Sequence, residues 1–190
     1  KPGKVTLRVT VDGNARTFGP VESTKQSDLT AVVPVTGLKS DTSHPYRVLV
    51  DEKPIKMPSA ATLVTAPEHG KVRIAFGSCS HRWGLGNPAL SAAIRNRRPA
   101  GMLLIGDIAA QDRNNHIGLH RSDYLMRDLQ PAWQDLVATV PVYATWDDHD
   151  YFDNDRAGIP PGKPEKGIVG YTDEDRRAVW SVFRECWNNP

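Results

Sequence analysis

The chain has 190 residues, 39% hydrophobic and 24% charged, with a formal net charge of +2. That length and balance suit a folded protein of two small domains or one large one and give no electrostatic basis for a nucleic-acid partner. Two cysteines, Cys79 and Cys186, are too few for a disulfide-stapled scaffold, and no stretch reaches the roughly 20 apolar residues of a membrane span.

The chain opens Lys1-Pro2-Gly3 with no signal peptide, as expected of a trimmed or mature end. Val5–Val11 then alternates apolar and polar residues, and Asp12-Gly13-Asn14 is a hairpin turn signal. Thr30–Val35 reads as a second short strand before Gly37. Tyr46–Val50 reads as a third, leading into Asp51-Glu52-Lys53-Pro54. Short strands between Gly, Pro, Asp and Ser clusters predict an all-β sandwich of Ig/fibronectin III-like type over residues 1–66. Ala66–Gly70 reads as the linker to a second domain over residues 70–190.

From Lys71 the pattern becomes α/β. Val72–Phe76 is a strand. Asn87-Pro88 starts a helix with Asn as its cap and Pro at the first helical position, and Arg95-Asn96-Arg97-Arg98 falls at its end, where cations complement the helix dipole. Met102–Ile105 is a continuous apolar run, expected of a strand buried on both faces. A helix over Asp123–Leu136 is disturbed at Pro131, and Val140–Ala144 is the third strand. A last helix opens at Thr172, with Asp175 placed for a capping box. Alternating strands and helices imply a parallel sheet layered with helices. The Gly- and Pro-rich stretch Asp155–Tyr171 reads as a long loop.

Each of the three strands ends on chemistry: Ser78-Cys79 after the first, Gly106-Asp107 after the second, and Asp147-Asp148-His149-Asp150 after the third. A parallel sheet gathers its ligand site at these carboxyl ends. Carboxylates brought to one edge repel unless a cation neutralises them, so Asp107, Asp147, Asp148 and Asp150 imply a metal, or else a fold that splays them apart. Carboxylates and imidazole suit Ca²⁺, Mn²⁺, Fe or Zn²⁺, and a Cys79 thiolate would favour a softer or redox-active ion. His149, flanked by carboxylates, is the candidate proton donor, and His81 lies close enough in sequence to reach the site mouth. Asn154 offers a further amide oxygen, although Asn also serves as a turn residue. The remaining histidines, His44, His69, His116 and His120, read as solvent-facing.

Phe76-Gly77-Ser78-Cys79-Ser80-His81, Ile105-Gly106-Asp107, and Val140 through Asp150 with Asn154 nearby together resemble the PhoD-type alkaline phosphatases of the metallophosphatase superfamily. The resemblance covers nearly the whole chain and extends to a small β-rich leading domain. It implies a phosphomonoesterase or phosphodiesterase with iron and calcium, with zinc or manganese as other divalent options. It also implies a periplasmic or extracellular location. Carried over, Cys79 binds iron, Asp107 bridges the metals, Asp148 binds the second metal and His149 serves the leaving oxygen. The family's iron-binding Tyr is replaced here by Ala110. The family's later histidine ligands lie beyond the matched strands, so the α/β domain reads as the N-terminal part of a metallophosphatase domain. A C-terminal fragment or second chain is expected to complete it. The alternatives are a non-catalytic binding or scaffolding module on the same fold, or a structural calcium-binding extracellular domain.

Overall fold

The computed structural model describes residues 1–58, 61–109, 111–156 and 172–187. Ala110 and most of the expected loop over Asp155–Tyr171 lie outside these residues. The chain divides into two units, Lys1–Ala75 with Ser91–Met102 and Gln134–Val142, and Phe76–Leu90 with Leu103–Trp133 and Tyr143–Pro190.

In the first unit, β1 (Lys4–Val11) pairs antiparallel with both β2 (Asn14–Glu22) and β3 (Ser43–Val50). The short β4 (Lys53–Pro54) pairs with the end of β3, and β5 (Thr62–Val64) pairs with its start. Asp12 (φ 49°) and Gly13 (φ 78°) form the left-handed turn between β1 and β2 that matches strand twist. Asp51 (φ 48°) and Glu52 (φ 66°) do the same between β3 and β4.

Two expectations for this region are corrected. No strand forms over Thr30–Val35. Pro34 has no N–H to give a ladder, and the next carbonyls, of Thr36 and Gly37, accept instead from the Arg16 guanidinium. The Ig/fibronectin III-like sandwich is not confirmed either, because the described strands form one five-stranded sheet. Among the described residues of 1–66 the deeply buried apolar side chains are Val9, Leu49 and Ala61, enough to cover one face of a sheet and too few for two facing sheets.

The second sheet has the order β6 (Ile74–Gly77), β7 (Gly101–Ile105), β8 (Val142–Thr145). Ala100 N–H donates to Arg73 O, and Cys79 N–H donates to Gly106 O. Both chains therefore advance together, and β6 and β7 are parallel. The helices are α1 (His81–Leu85), α2 (Pro88–Asn96), α3 (Ile117–Asp128), α4 (Pro131–Val137), α5 (Asp148–Tyr151) and α6 (Asp173–Cys186). Asn87 Oδ1 caps α2 by accepting from the N–H groups of Ala89 and Leu90. Thr172 and Asp175 form a reciprocal capping box on α6. The expected helix over Asp123–Leu136 is two helices broken just before Pro131, and the first begins earlier, at Ile117. Its cap, His116, makes no side-chain bond, so that start carries no sequence signal.

Burial corrects two further readings. β7 is not covered on both faces: Leu104 is 1% exposed, while Leu103 is 42% and Ile105 48% exposed. Phe76 (75%) on β6 and Tyr143 (39%) on β8 are open as well. His44 and His120 are buried rather than solvent-facing, and His120 Nε2 lies 2.8 Å from Asn114 O.

An aromatic core anchors the end of β8 in the second unit. Trp146 packs on Trp180 (4.7 Å between ring centroids), Tyr151 (5.1 Å) and Phe183 (5.7 Å), beside fully buried Phe152. Arg127, also buried, lies over Trp187 (4.4 Å), Tyr124 and Trp133 and pairs with Asp128 at 2.7 Å. This cation is held by ring faces on one side and by two donors to Asp128 Oδ1 on the other. Arg121 grips Glu185 through two hydrogen bonds, tying α3 to α6.

Candidate metal centre

The site is built at the carboxyl ends of β6, β7 and β8, within the second unit. One ligand atom each from Asp107, Asp148 and His149 lie within 4.8 Å of one another. Asp107 is buried; its Oδ2 accepts from the Cys79 thiol at 3.3 Å, and its Oδ1 is buried with no hydrogen-bond partner. An orphaned carboxylate oxygen facing another carboxylate is costly without a cation. The donor set, two carboxylates and an imidazole, fits a hard or borderline divalent ion.

The backbone is shaped to make this convergence. Gly106 has φ +94°, and a Cβ there would stand 2.4 Å from Asp147 Cβ, so only glycine lets the two strand ends approach. Asp107 (φ 54°), Cys79 (φ 52°), His81 (φ 44°) and Asp112 (φ 49°) are all left-handed. Such conformations are uncommon for residues other than glycine and cluster where function demands them.

Asp147 and Asp150 belong to the supporting frame. Asp147 caps α5. Asp150 is 2% exposed; its Oδ1 accepts from Ile108 N–H (2.9 Å) and Ala109 N–H (3.4 Å), and its Oδ2 from Asp147 N–H (3.3 Å). It therefore braces the turn that presents Asp107. Burial pushes its carboxyl pKa up to about 6, against the lowering effect of those N–H donors.

Asp148 is exposed to its surroundings differently. The Asp155 N–H donates to its Oδ2 at 2.6 Å and holds its carboxyl below the usual range, helped by the His149 N–H on Oδ1. Asn154 sits on the turn after α5, where its Nδ2 donates to Asp155 Oδ2 at 2.7 Å. Cys79 is exposed, in contact with Asp107 and outside the group of three; it is not bridged to Cys186.

His149 finds its carboxylate partner outside the acidic cluster. Its Nδ1 lies 2.6 Å from Asp112 Oδ1. Asp112 raises the imidazole pKa above its ordinary value, with Asp107 and Asp148 adding to the effect against partial desolvation. The loop carrying Asp112 is fixed from both sides. Arg113 donates twice to buried Asp123, and Asn115 Nδ2 donates to Asp175 Oδ1 at 2.8 Å. Beside it, Gln111 Nε2 lies 2.8 Å from His81 Nδ1, and the His81 and His149 rings meet edge-on at 6.5 Å. Asp112 and Gln111 follow no strand and fit no motif, so only the folded loop reveals them.

No family model matches this chain, and no curated protein sequence matches it. No helix among the described residues is long and apolar enough to cross a membrane. Among solved structures, the chain is similar to one described as "Structure of PhoD", with a TM-score of 0.69 and 19% identity, over 97% of this chain and 39% of that one. The chain thus spans well under half of that protein's length, and at this identity the likeness is one of fold: the architecture is PhoD-like.

Proposed function

We propose that this chain supplies part of the active site of a metal-dependent phosphoesterase. The observation that carries the reading is the convergence of Asp107, Asp148 and His149, with one buried Asp107 oxygen left unpartnered. The PhoD-like fold supports phosphate esters as the substrate class, while iron with calcium, or zinc or manganese as alternatives, are the metals that the motif resemblance implies. The resemblance further supports a periplasmic or extracellular setting.

Asp107 and Asp148 would hold the metal, with Cys79 and Asn154 as additional donors. A bound cation would polarise the phosphoryl group and lower the pKa of water. The Asp112 carboxylate orients the His149 imidazole and favours its protonated form, which suits His149 to hand a proton to the departing ester oxygen. His81, steadied by Gln111, would contact the substrate phosphate.

The open face of the β6-β7-β8 sheet supports a further element of the reading. Phe76, Leu103 and Ile105 are too exposed for a finished core, and further polypeptide covering them would also complete the metal shell. Elemental analysis alongside an assay with p-nitrophenyl phosphate and its bis ester tests the proposal. Bound divalent metal that disappears in Asp107→Asn, with activity appearing only when the further polypeptide is present, supports it. A folded, complete protein without metal and without esterase activity would leave a binding or scaffolding module instead.

A further inference from the structure

A second feature lies at the opposite ends of the same strands, and all of it belongs to the first unit. The segments leading into β6, β7 and β8 line a cleft of about 870 Å³. Its charged lining is Lys71, Arg73, Arg95 and Arg98 against the single carboxylate of Asp41. Four cations around a concave surface focus positive potential into it. The cluster has structural provenance. Arg95 and Arg98 come from the end of α2, where Arg73 donates to the Arg97 carbonyl and so clamps the helix terminus. Arg98 is held in a left-handed conformation, φ 48°, with its N–H on Arg95 O.

Helix-dipole complementation accounts for one or two of these cations at the end of α2. It does not account for Lys71 and Arg73, which arrive from a different segment. Nor does it account for Arg95 Nε, which is buried and has no hydrogen-bond partner. An unpaired buried guanidinium N–H is a donor awaiting an acceptor. The rest of the wall mixes the hydroxyls of Ser43, Thr65 and Thr139 with apolar side chains, and Val72 (49% exposed) and Ile74 (45% exposed) stand open beside the cations.

We propose that this cleft binds a phosphate-bearing ligand with an apolar portion. Arg95 and Arg98 would take the phosphate oxygens as planar donors, Lys71 and Arg73 would add charge, and Val72 and Ile74 would contact the apolar part. The site is independent of the metal centre in both residues and chemistry.

The test is titration of chelator-treated protein with inorganic phosphate and with octyl phosphate, read by calorimetry and by amide chemical shifts. Saturable one-to-one binding is expected, with shifts centred on Arg98–Ala100 and Thr139, tighter for octyl phosphate than for inorganic phosphate and weakened by added salt. Arg95→Gln with Arg98→Gln should weaken binding by about tenfold or more. Lys71→Gln, on an exposed residue that folding does not need, should weaken it by a smaller factor. Asp107→Asn, at the metal centre, should leave it unchanged. The proposal fails if no saturable binding occurs at millimolar ligand. It also fails if binding survives the arginine substitutions, or if the shifts gather around Cys79 and His149 instead.

Discussion

Left-handed residues occur in the N-terminal sheet and around the metal centre, and the two sets behave differently. Apart from Gly19 within β2, those of the sheet sit at hairpin tips: Asp12 and Gly13, then Asp51 and Glu52. There the conformation satisfies strand twist and nothing else depends on it; a Cβ added at Gly13 would meet nothing within 4 Å. Around the metal centre the same conformation is found at Cys79, His81, Gly106, Asp107 and Asp112, and it aims side chains at one another. Backbone strain is therefore no guide to function by itself. What separates the two regions is whether the strained residues enclose an unsatisfied polar group.

The sharpest way to break this comparison is a matched pair of glycine substitutions. Gly106→Ala adds a clash with Asp147 to the positive φ and should destabilise the fold by about 3 kcal/mol or more. Gly13→Ala meets only the φ penalty, about 1–2 kcal/mol. Equal losses in urea denaturation would show that the close approach at Gly106 matters little.

Asp150 gives the next largest effect. Its folded pKa of about 6 lies above the ordinary carboxylate value, so the native state binds the proton more tightly than the unfolded chain. The associated stability is fully present below about pH 4 and is lost as pH rises towards 6, a change on the order of 3 kcal/mol. Asp150→Asn should flatten that part of the stability–pH curve. It should also weaken divalent-cation binding, because an amide nitrogen cannot accept from Asp147 N–H as Oδ2 does.

Asp107→Asn separates metal chemistry from folding. Removing one of two facing carboxylates should change metal-free stability by less than about 1 kcal/mol, in the stabilising direction if either. The melting shift produced by divalent cations should vanish. A variant that keeps that shift would remove Asp107 from the centre.

The smallest effect is expected at Asp112→Asn. The His149 pKa should fall, measurable by following its ring protons with pH. In the native protein the raised pKa contributes stability at acidic pH that fades as pH rises through it. An unchanged His149 titration would discard the pairing as the cause.

Much of this centre can be read from the chain because strand ends are local. A short apolar run followed by Gly106-Asp107 or Asp147-Asp148-His149 marks both the element and its functional end. The caps at Asn87 and Thr172, and the break before Pro131, are legible for the same reason: each depends on residues within a turn of one another. What escaped depends on distant partners. β2 is mostly exposed on both faces, shows no alternation, and is recruited by pairing with β1. Asp112 reaches His149 only because Arg113 and Asn115 are anchored to α3 and the start of α6. The acidic cluster also looked uniform in sequence, whereas folding divides it: Asp148 faces the centre, Asp147 caps a helix, and Asp150 is buried as a brace.

Trp146 immediately precedes that cluster, and its indole meets that of Trp180 at 4.7 Å and 63°. Two indoles this close and this inclined couple their electronic transitions, so the pair should produce a strong near-ultraviolet dichroic band. The chain thereby carries a built-in optical reporter one residue from the helix cap, and ion loading could be followed by emission without any attached dye.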